Sequence, residues 1–310
     1  MFEGFYNIWE AYKKAGFEDP LEETLKLLNV VSNGAVCKAV GKMDEMFPLE
    51  TGSELEDFIA NRLKGLPLEY ALGYGTFMEM QILCSPAALI PRQETELLAK
   101  TAIHLFEQMD NSGEPSLIVD MGTGSGNIAV SIAANTKNTH VLACDVSLEA
   151  IELARANVDC NNLQSRVSLF AGDLFAPLAA AEYKGDVSMV VCNPPYIPTP
   201  SLARMAQEII DHEPVAAFDA GAFGIDIFRS IISQAPAFLK PKGVLVFEIG
   251  AGQHKLVTRL LQKSGNYEDI RHHADQAGVI RVISAARMPQ PQDSPVKAKS
   301  QNPPKTKPVR

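Results

Sequence analysis

The stretch MVVCNPPYIP, residues 189–198, runs from an apolar strand-like segment into residues that could hold an amino group. Proline has no backbone N–H and restricts the residue before it, so Pro194 and Pro195 leave stiffly held carbonyl acceptors. The side-chain oxygen of Asn193 and the carbonyl of Pro194 then form an acceptor-rich edge, to which Tyr196 adds a flat stacking face. Such an edge suits an NH2 group on an sp2 carbon. A plain strand-ending turn is the alternative interpretation.

A glycine-rich stretch, VDMGTGSGNIAV, follows an apolar strand-like segment and opens a helix. Gly122, Gly124 and Gly126 would let the backbone turn tightly and approach a ligand closely. The dinucleotide-binding fingerprint would need its third glycine one position later, where Asn127 stands. We therefore expect a nucleoside ligand without a pyrophosphate, while simple helix–strand packing is the alternative role of Gly126.

Acidic residues at the ends of three predicted strands indicate which ligand the glycine loop binds. Asp145 lies about 20 residues after the glycines, which is the spacing of an acid that binds ribose hydroxyls. Asp173 offers a further acceptor, and Asp120 could accept hydrogen bonds from an ammonium group but would repel a diphosphate. These features predict S-adenosylmethionine, which carries an ammonium and a sulfonium, as the cofactor. NAD as the ligand and a helix-capping or turn role for Asp145 stay open as alternatives.

The two motifs together predict transfer of a methyl group to nitrogen. An amide nitrogen is a poor nucleophile because its lone pair is delocalised. Acceptors on both of its N–H groups would hold it in line with the methyl-bearing sulfonium, and such positioning can lower a barrier by ~7–11 kcal/mol. The predicted catalytic residues are Asn193, Pro194 and Tyr196, the predicted substrate-binding residues are Asn193, Pro194, Pro195 and Tyr196, and no metal site is predicted.

Residues 117–287 alternate strand-like and helix-like segments, a pattern that predicts a parallel α/β sheet with helices on both faces. The predicted strands are residues 117–121, 140–145, 167–173, 186–192, 243–249, 267–273 and 279–285. In the strand order of such sheets the fourth strand ends beside the first, so Asn193 should lie next to the glycine loop. Residues 196–226 interrupt the alternation, and a long insert at the carboxyl end of a strand is where these sheets place substrate sites.

Other regions of the chain differ from this alternating pattern. Residues 1–72 show helical spacing and capping signals, and predict a small helical domain for which substrate recognition and plain packing are both open roles. Residues 73–92 predict a hairpin linker, and residues 93–287 the catalytic domain. The proline- and lysine-rich residues 288–310 predict a disordered tail.

The composition limits the classes of binding partner and the cellular compartment that we expect for the protein. The chain has 310 residues, a formal net charge of −9 and five scattered cysteines. The negative charge argues against a large non-specific nucleic-acid surface, and no apolar run reaches the ~18 residues of a membrane span. An odd number of cysteines without CxxC spacing favours reduced thiols. We expect a cytoplasmic monomer that contacts neither membrane nor nucleic acid.

The stretches VDMGTGSGNIAV and VVCNPPYIP resemble those of the amino-methyltransferases with the class I S-adenosylmethionine fold. More narrowly, LPLEYALGYGTFMEMQILCSPAALIPRQETELL resembles the segment that leads into the catalytic domain of release-factor glutamine methyltransferases, and the similarity covers roughly residues 5–287. The resemblance implies a Rossmann-like class I methyltransferase sheet joined by a β-hairpin to an N-terminal helical domain. It also implies protein-(glutamine-N5) methylation of the Gly-Gly-Gln motif in class 1 peptide-chain release factors.

Carried over by position, the resemblance implies that Asn193 to Tyr196 bind this glutamine and that the glycine loop binds the cofactor. With the acids argued above, the expected cofactor residues are Asp120, Gly122, Thr123, Gly124, Ser125, Gly126, Asp145, Asp173, Leu174 and Asn193. Because residues 213–228 depart from the family pattern, a small-molecule or peptide natural-product amide or guanidino acceptor stays open. Methylation of the amino group of a nucleic-acid base and a non-enzymatic, cofactor-binding role also stay open.

Overall fold

The computed structural model describes residues 2–31, 59–109, 115–179, 183–204, 207–221 and 225–290. Helices α1 (Phe2–Lys14) and α2 (Pro20–Val31) come first, and the helical residues 59–63 and α3 (Leu68–Leu72) follow. Strands β1 (Tyr74–Phe77) and β2 (Met80–Leu83) then form an antiparallel hairpin before α4 (Gln93–Glu107). Within the described part of residues 1–72 the regular elements are helices, and the hairpin strands lie within residues 74–83.

A seven-stranded sheet with alternating helices makes up the rest of the fold. Its elements are β3 (Ser116–Met121), α5 (Asn127–Asn135), β4 (Thr139–Asp145), α6 (Leu148–Cys160), β5 (Val167–Ala171), β6 (Val187–Cys192), α7 (Gln207–His212), α8 (Asp226–Gln234), β7 (Leu239–Glu248), α9 (His254–Ser264), β8 (Tyr267–Ala274) and β9 (Ile280–Arg287). The strand order is β5-β4-β3-β6-β7-β9-β8; the strands from β5 to β7 pair in parallel, and β9 pairs antiparallel with both β7 and β8. The predicted α/β sheet is confirmed, with an antiparallel edge added.

The central strands are apolar on both faces because helices cover both. Successive residues of a strand point to opposite faces, so Ile118 packs on one side of the sheet and Val119 on the other. Side chains of α4, α5 and α6 cover the first face, and those of α8 and α9 cover the second. This double cover explains why the strands read as continuous apolar runs.

The parallel pairing of β3 with β6 places the two chemical motifs side by side. Met121, the last residue of β3, is in register with Cys192, the last residue of β6. The next residues, Gly122 and Asn193, therefore leave the sheet next to each other. The prediction that the fourth sheet strand ends beside the first is confirmed.

The hairpin turns at Met78 and Glu79, whose φ angles are 51° and 63°. Asn-Gly is the usual sequence for such a turn, so tertiary contacts must stabilise it here. The carboxylate of Glu96 on α4 accepts a hydrogen bond from the Met78 N–H at 2.9 Å, and Phe77 and Ile82 are fully buried against the sheet domain. The hairpin is therefore part of the main core.

Asn157 on α6 joins the hairpin to the glycine loop. Its side chain is fully buried, accepts from the Leu83 N–H at 2.6 Å and donates to the Leu83 and Ser125 carbonyls at 3.0 and 2.8 Å. One amide thus satisfies backbone groups of two segments that lie far apart in sequence.

The N-terminal helices have a small core of their own, formed by Ile8, Tyr12 and Leu27. Arg62 ties residues 59–63 to this core through an ion pair with Glu23 at 2.8 Å. Residues 32–58 of the predicted helical region and residues 291–310 of the predicted tail lie outside the described residues. No helix in the described ranges is long and apolar enough to span a membrane.

Replacing Asn157 by alanine removes the partner of the Leu83 N–H, of the Leu83 carbonyl and of the buried Ser125 carbonyl, so we expect the free energy of unfolding to fall by ~2–4 kcal/mol. Urea unfolding followed by circular dichroism measures this loss. Glu152→Ala, on the exposed side of the same helix, is the matched control and should stay within ~0.5 kcal/mol of wild type. Equal stability of the two variants would contradict the joining role of Asn157.

Candidate active site

A cavity of about 400 Å³ opens at the carboxyl ends of β3, β4, β5 and β6. Its wall includes most of the predicted cofactor residues, namely Gly122, Thr123, Gly124, Ser125, Asp145, Asp173, Leu174 and Asn193. The structure therefore brings these residues together around one space. Asp120 and Gly126 do not belong to its wall.

The glycine loop is drawn toward the end of β4 by backbone hydrogen bonds. The N–H groups of Gly122 and Thr123 both donate to the Cys144 carbonyl, at 2.8 and 2.9 Å. Gly122 and Gly124 have φ angles of 72° and 55°, which favour glycine over residues with a Cβ. The loop thus bends away from the sheet and leaves the cavity open above it.

Asp145 fastens the loop at the far side of the cavity. Its Oδ2 accepts from the Gly124 N–H and its Oδ1 from the Ser147 N–H, both at 2.9 Å. The N-terminal cap of α6 is the Ser147 hydroxyl, which accepts from the Ala150 N–H at 3.1 Å. Because a carboxylate oxygen has more than one lone-pair site, Asp145 can still accept hydrogen bonds from a ligand in the cavity.

Asp120 lies beneath the loop and is fully buried. Its Oδ2 accepts from the Thr123 hydroxyl at 2.6 Å and from the Ala129 N–H at 3.1 Å. Burial raises the pKa of this carboxyl to about 7, although both hydrogen bonds favour the charged form. In the structure Asp120 supports the loop from below, which differs from the expected contact with a ligand ammonium group.

Gly126 fills a packing role. Its φ angle is 80°, and a Cβ placed there would lie 3.1 Å from the Cβ and 3.2 Å from the Cα of Ala154 on α6. The close approach of α6 to the start of α5 therefore needs glycine. Its position agrees with the packing alternative raised from the sequence.

A second cavity, of about 240 Å³, lies beside the first. The two cavities share Asn193, Pro194 and Pro195, together with Leu89, Arg92, Thr95 and Ala217. The second cavity alone also contacts Tyr196, Phe218, Glu248 and Arg281. The Asn-Pro-Pro segment is thus common to both spaces, which the sequence alone does not reveal.

Asn193 is held by Thr95, the third residue of α4. The Asn193 side-chain NH2 donates to the Thr95 hydroxyl at 3.2 Å. This bond uses the nitrogen end of the amide and leaves Oδ1 as the end that can accept from a ligand. The Asn193 oxygen is therefore available for the role predicted for it.

Tyr196 is fixed at three points. Its hydroxyl donates to Glu248 Oε1 at 3.1 Å, and its carbonyl accepts from the Gln253 side chain at 3.0 Å. A Cβ at Gly250 would lie 3.1 Å from Cδ2 of the tyrosine ring, so the ring packs directly on that backbone. The sequence predicts only a stacking face here, because Glu248 and Gln253 carry no recognisable motif.

An ion pair between a buried carboxylate and a partly exposed arginine fastens the insert after β6 to the segment before α4. The Glu213 carboxylate, which is buried, pairs with the Arg92 guanidinium and accepts from the Ile90 N–H at 3.2 Å. The insert also folds back on itself, since Ile197 exchanges backbone hydrogen bonds with Phe218 and Ala220. Both segments line the cavities, so the pair fixes the walls of the site.

Comparison with known proteins agrees with this geometry. Residues 96–225 match the family described as the methyltransferase small domain. The release factor glutamine methyltransferase of Synechocystis sp. is 38% identical over 219 residues, which cover 71% of this chain and 73% of the relative. The enzyme of the same name from Moorella thermoacetica is 34% identical over 272 residues, 88% of this chain and 93% of the relative.

A solved structure shows the same fold at lower identity. The catalytic domain of human Mettl16 has a TM-score of 0.52 and 17% identity, with coverage of 75% of this chain and 84% of that domain. At this identity the match supports the fold alone. The identity to the curated relatives over most of their length shows that the chain belongs to the family of release factor glutamine methyltransferases.

Proposed function

We propose that this enzyme methylates the side-chain amide nitrogen of the glutamine in the Gly-Gly-Gln motif of class 1 peptide-chain release factors. The observation that carries the proposal is the meeting of two cavities at Asn193, Pro194 and Pro195. One cavity has the loop and acids that suit the cofactor, and the other has the acceptor-rich edge that suits a planar amide. The curated relatives are named for this activity.

The cofactor is S-adenosylmethionine, as for a methyltransferase of this family. The residues present fit it, because the larger cavity combines the acids Asp145 and Asp173 with apolar side chains such as Ile128 and Leu174. We propose that Asp145 binds the ribose hydroxyls and that the glycine loop binds the remainder of the nucleoside. When bound, the cofactor supplies a methyl group attached to a positively charged sulfur.

The chain's own residues orient the acceptor nitrogen. Asn193 Oδ1 accepts one N–H of the substrate amide, and the Pro194 carbonyl accepts the other. The ring of Tyr196, held on Gly250, stacks on the amide plane. These contacts fix the nitrogen at the wall that both cavities share, and this loss of freedom is the main catalytic contribution of the protein.

The size of the smaller cavity favours a single side chain as the acceptor. Its volume of about 240 Å³ is below the ~300–1,000 Å³ that small-molecule sites usually occupy. The net charge of −9 likewise gives no general attraction to nucleic acid. A glutamine presented by a protein loop fits these limits better than the other acceptor classes.

We also propose that the protein acts as a monomer in the cytoplasm, where translation factors are found. In the part of the chain that the structure describes, Cys84, Cys144, Cys160 and Cys192 are free, and Cys160 alone is exposed. Burial raises the pKa of the Cys84 thiol to about 12 and keeps it protonated. Reduced, unreactive thiols of this kind suit a reducing compartment.

The direct experiment is methyl transfer from labelled S-adenosylmethionine to purified class 1 release factor, followed by peptide mass mapping. We expect one methyl group on the glutamine of the Gly-Gly-Gln motif. Absence of transfer, or a methyl group at another residue, would overturn the proposed acceptor. Tight nucleic-acid binding that weakens steeply with salt would instead favour a base as the acceptor.

Asn193→Ala should lower kcat by ~10²–10³, the scale seen when one preorganised electrostatic contact is removed. The acceptor N–H would lose its partner, while the cofactor would keep the glycine loop and Asp145. Steady-state kinetics on the release factor measure the change, and Asn193→Asp, which keeps an acceptor oxygen, should retain part of the activity. Near-normal kcat of Asn193→Ala would show that the proposed orientation of the amide is wrong.

Asp145→Ala should weaken S-adenosylmethionine binding by ~1.5–3 kcal/mol, the range for a hydrogen bond to a charged group. The variant loses both the proposed ribose contact and the bond that holds the Gly124 N–H. Titration calorimetry measures the affinity, with the exposed Glu152→Ala as the control. Unchanged affinity, or a preference for NAD, would remove the assignment.

We propose that the N-terminal helices recognise the protein substrate and take no part in the chemistry. The Tyr70 hydroxyl donates to the Ala88 carbonyl at 2.8 Å, and Ala88 lines the larger cavity. Because this bond connects α3 to the cavity wall, a truncation should remove residues 1–66 and retain α3. We expect a strongly raised KM for the intact release factor, an unchanged KM for a short Gly-Gly-Gln peptide, and unchanged cofactor affinity. If the truncated enzyme used the intact factor as well as wild type does, these helices would serve stability alone.

A further inference from the structure

The Asn-Pro-Pro-Tyr segment needs support from outside the motif, because its own backbone can donate little. Pro194 and Pro195 have no N–H group, so neither can form a backbone hydrogen bond as a donor. The proposed function also reserves the Pro194 carbonyl for the acceptor amide. Contacts made at Tyr196 must therefore contribute much of what holds the end of the motif.

The turn between β7 and α9 supplies such contacts. Cys192 of β6 is in register with Phe247 of β7, so the motif and this turn leave the sheet side by side. The side-chain NH2 group of Gln253 donates to the Tyr196 carbonyl at 3.0 Å, and its Oε1 accepts from the Gly250 N–H at 2.9 Å. One amide thus ties the motif to the turn.

Both partners of the Gln253 amide are backbone groups, so the direction of each hydrogen bond is fixed. A carbonyl oxygen can only accept, and a backbone N–H can only donate. The amide must therefore present its nitrogen to Tyr196 and its oxygen to Gly250, and the reverse orientation would lose both bonds. A side chain in this place needs a donor and an acceptor in one neutral group, which glutamine provides.

The backbone of Gln253 is fixed as well, because this residue is the N-cap of α9. Its N–H donates to the Gly250 carbonyl at 3.1 Å, and its carbonyl accepts from the N–H groups of Leu256 and Val257 at 3.0 and 3.1 Å. Val257 is fully buried against the sheet. The amide that holds Tyr196 therefore projects from a firmly anchored helix start.

The ring of Tyr196 packs on the same turn. A Cβ at Gly250 would lie 3.1 Å from Cδ2 of Tyr196 and 3.0 Å from Oε1 of Gln253. The φ angle of Gly250 is not positive, so a larger residue here is opposed by these contacts and not by backbone strain. The hydroxyl of the ring donates to Glu248 Oε1 at 3.1 Å. The carbonyl, the ring face and the hydroxyl of Tyr196 are thus all held by the end of β7 and the turn after it.

We propose that Gln253 is a positioning residue that holds the Asn-Pro-Pro-Tyr segment in the geometry required by the acceptor amide, and that only a neutral amide can do so. This inference rests on the proposed function, because it concerns the stacking face and the carbonyl that the segment offers to the acceptor. It gives a role in the reaction to a residue that lines neither cavity and lies 57 positions from Tyr196.

The test that does not depend on activity is NMR of the full-length protein labelled with ¹³C in its tyrosine rings. The ring signals of Tyr196 are assigned by their loss in Tyr196→Phe. Gln253→Glu has nearly the same shape but replaces the donor by an acceptor, so a carboxylate oxygen would face the Tyr196 carbonyl. We expect this variant to shift the Tyr196 signals. Gln262→Glu, the same change at an exposed residue of α9, is the matched control and should leave them in place.

The kinetic test uses the same pair of variants. Gln253→Glu should lower kcat on the release factor by about 10²-fold, the effect of a small misplacement of a catalytic contact, with unchanged affinity for S-adenosylmethionine in calorimetry. Gln262→Glu should match wild type in both. Gly250→Ala places a methyl group against the ring and the amide and should repeat the defect. If Gln253→Glu does not fold, Gln253→Met removes both bonds without adding charge and carries the same prediction.

The outcomes separate this inference from the proposed function. If wild type does not methylate the release factor but Gln253→Glu shifts the Tyr196 signals, the proposed acceptor is wrong and the positioning of Tyr196 stands. If wild type is active and Gln253→Glu retains its kcat, the positioning role is wrong, whether or not the signals shift. A loss of kcat with unmoved Tyr196 signals would also overturn the inference, because the effect would not pass through Tyr196.

Discussion

The parallel pairing of β3 with β6 is the contact on which the whole site depends. Because Met121 and Cys192 are in register, the glycine loop and the Asn-Pro-Pro-Tyr segment leave the sheet side by side. The strand order reverses at this point, with β4 on one side of β3 and β6 on the other. Ligands of open α/β sheets bind at such reversals, outside the carboxyl ends of the strands. We therefore propose that cofactor and acceptor meet where these two strand ends lie side by side.

Buried polar groups then fix the segments that the sheet brings together. Asp120 supports the glycine loop, Asn157 joins that loop to the hairpin, and Glu213 fastens the insert to the segment before α4. Each of these side chains is at least nine-tenths buried, so loss of a partner leaves an unsatisfied group in a medium of low dielectric constant. This cost holds the loops in one arrangement and supports catalysis by positioning.

The sequence predicts the features whose cause is local. The glycines indicate a backbone that turns with positive φ, the two prolines indicate stiffly held carbonyl acceptors, and the apolar runs indicate strands covered on both faces. The position of Asp120 cannot be predicted from the neighbouring sequence. The pleat of the strand and the packing of the loop decide whether an acid at a strand end faces the cavity or lies beneath the loop. Thr95 and Glu248 are not predicted, because each bonds a motif residue that is far away in the sequence. Thr95 bonds Asn193, 98 positions away, and Glu248 bonds Tyr196, 52 positions away.

The most direct test of this account is a crystal structure of the enzyme with S-adenosylhomocysteine and a release factor bound together. We predict that the glutamine amide nitrogen lies within hydrogen-bond distance of Asn193 Oδ1 and the Pro194 carbonyl, and faces the cofactor sulfur across the wall shared by the two cavities. A glutamine bound elsewhere, or an amide that meets the NH2 end of Asn193, would contradict it.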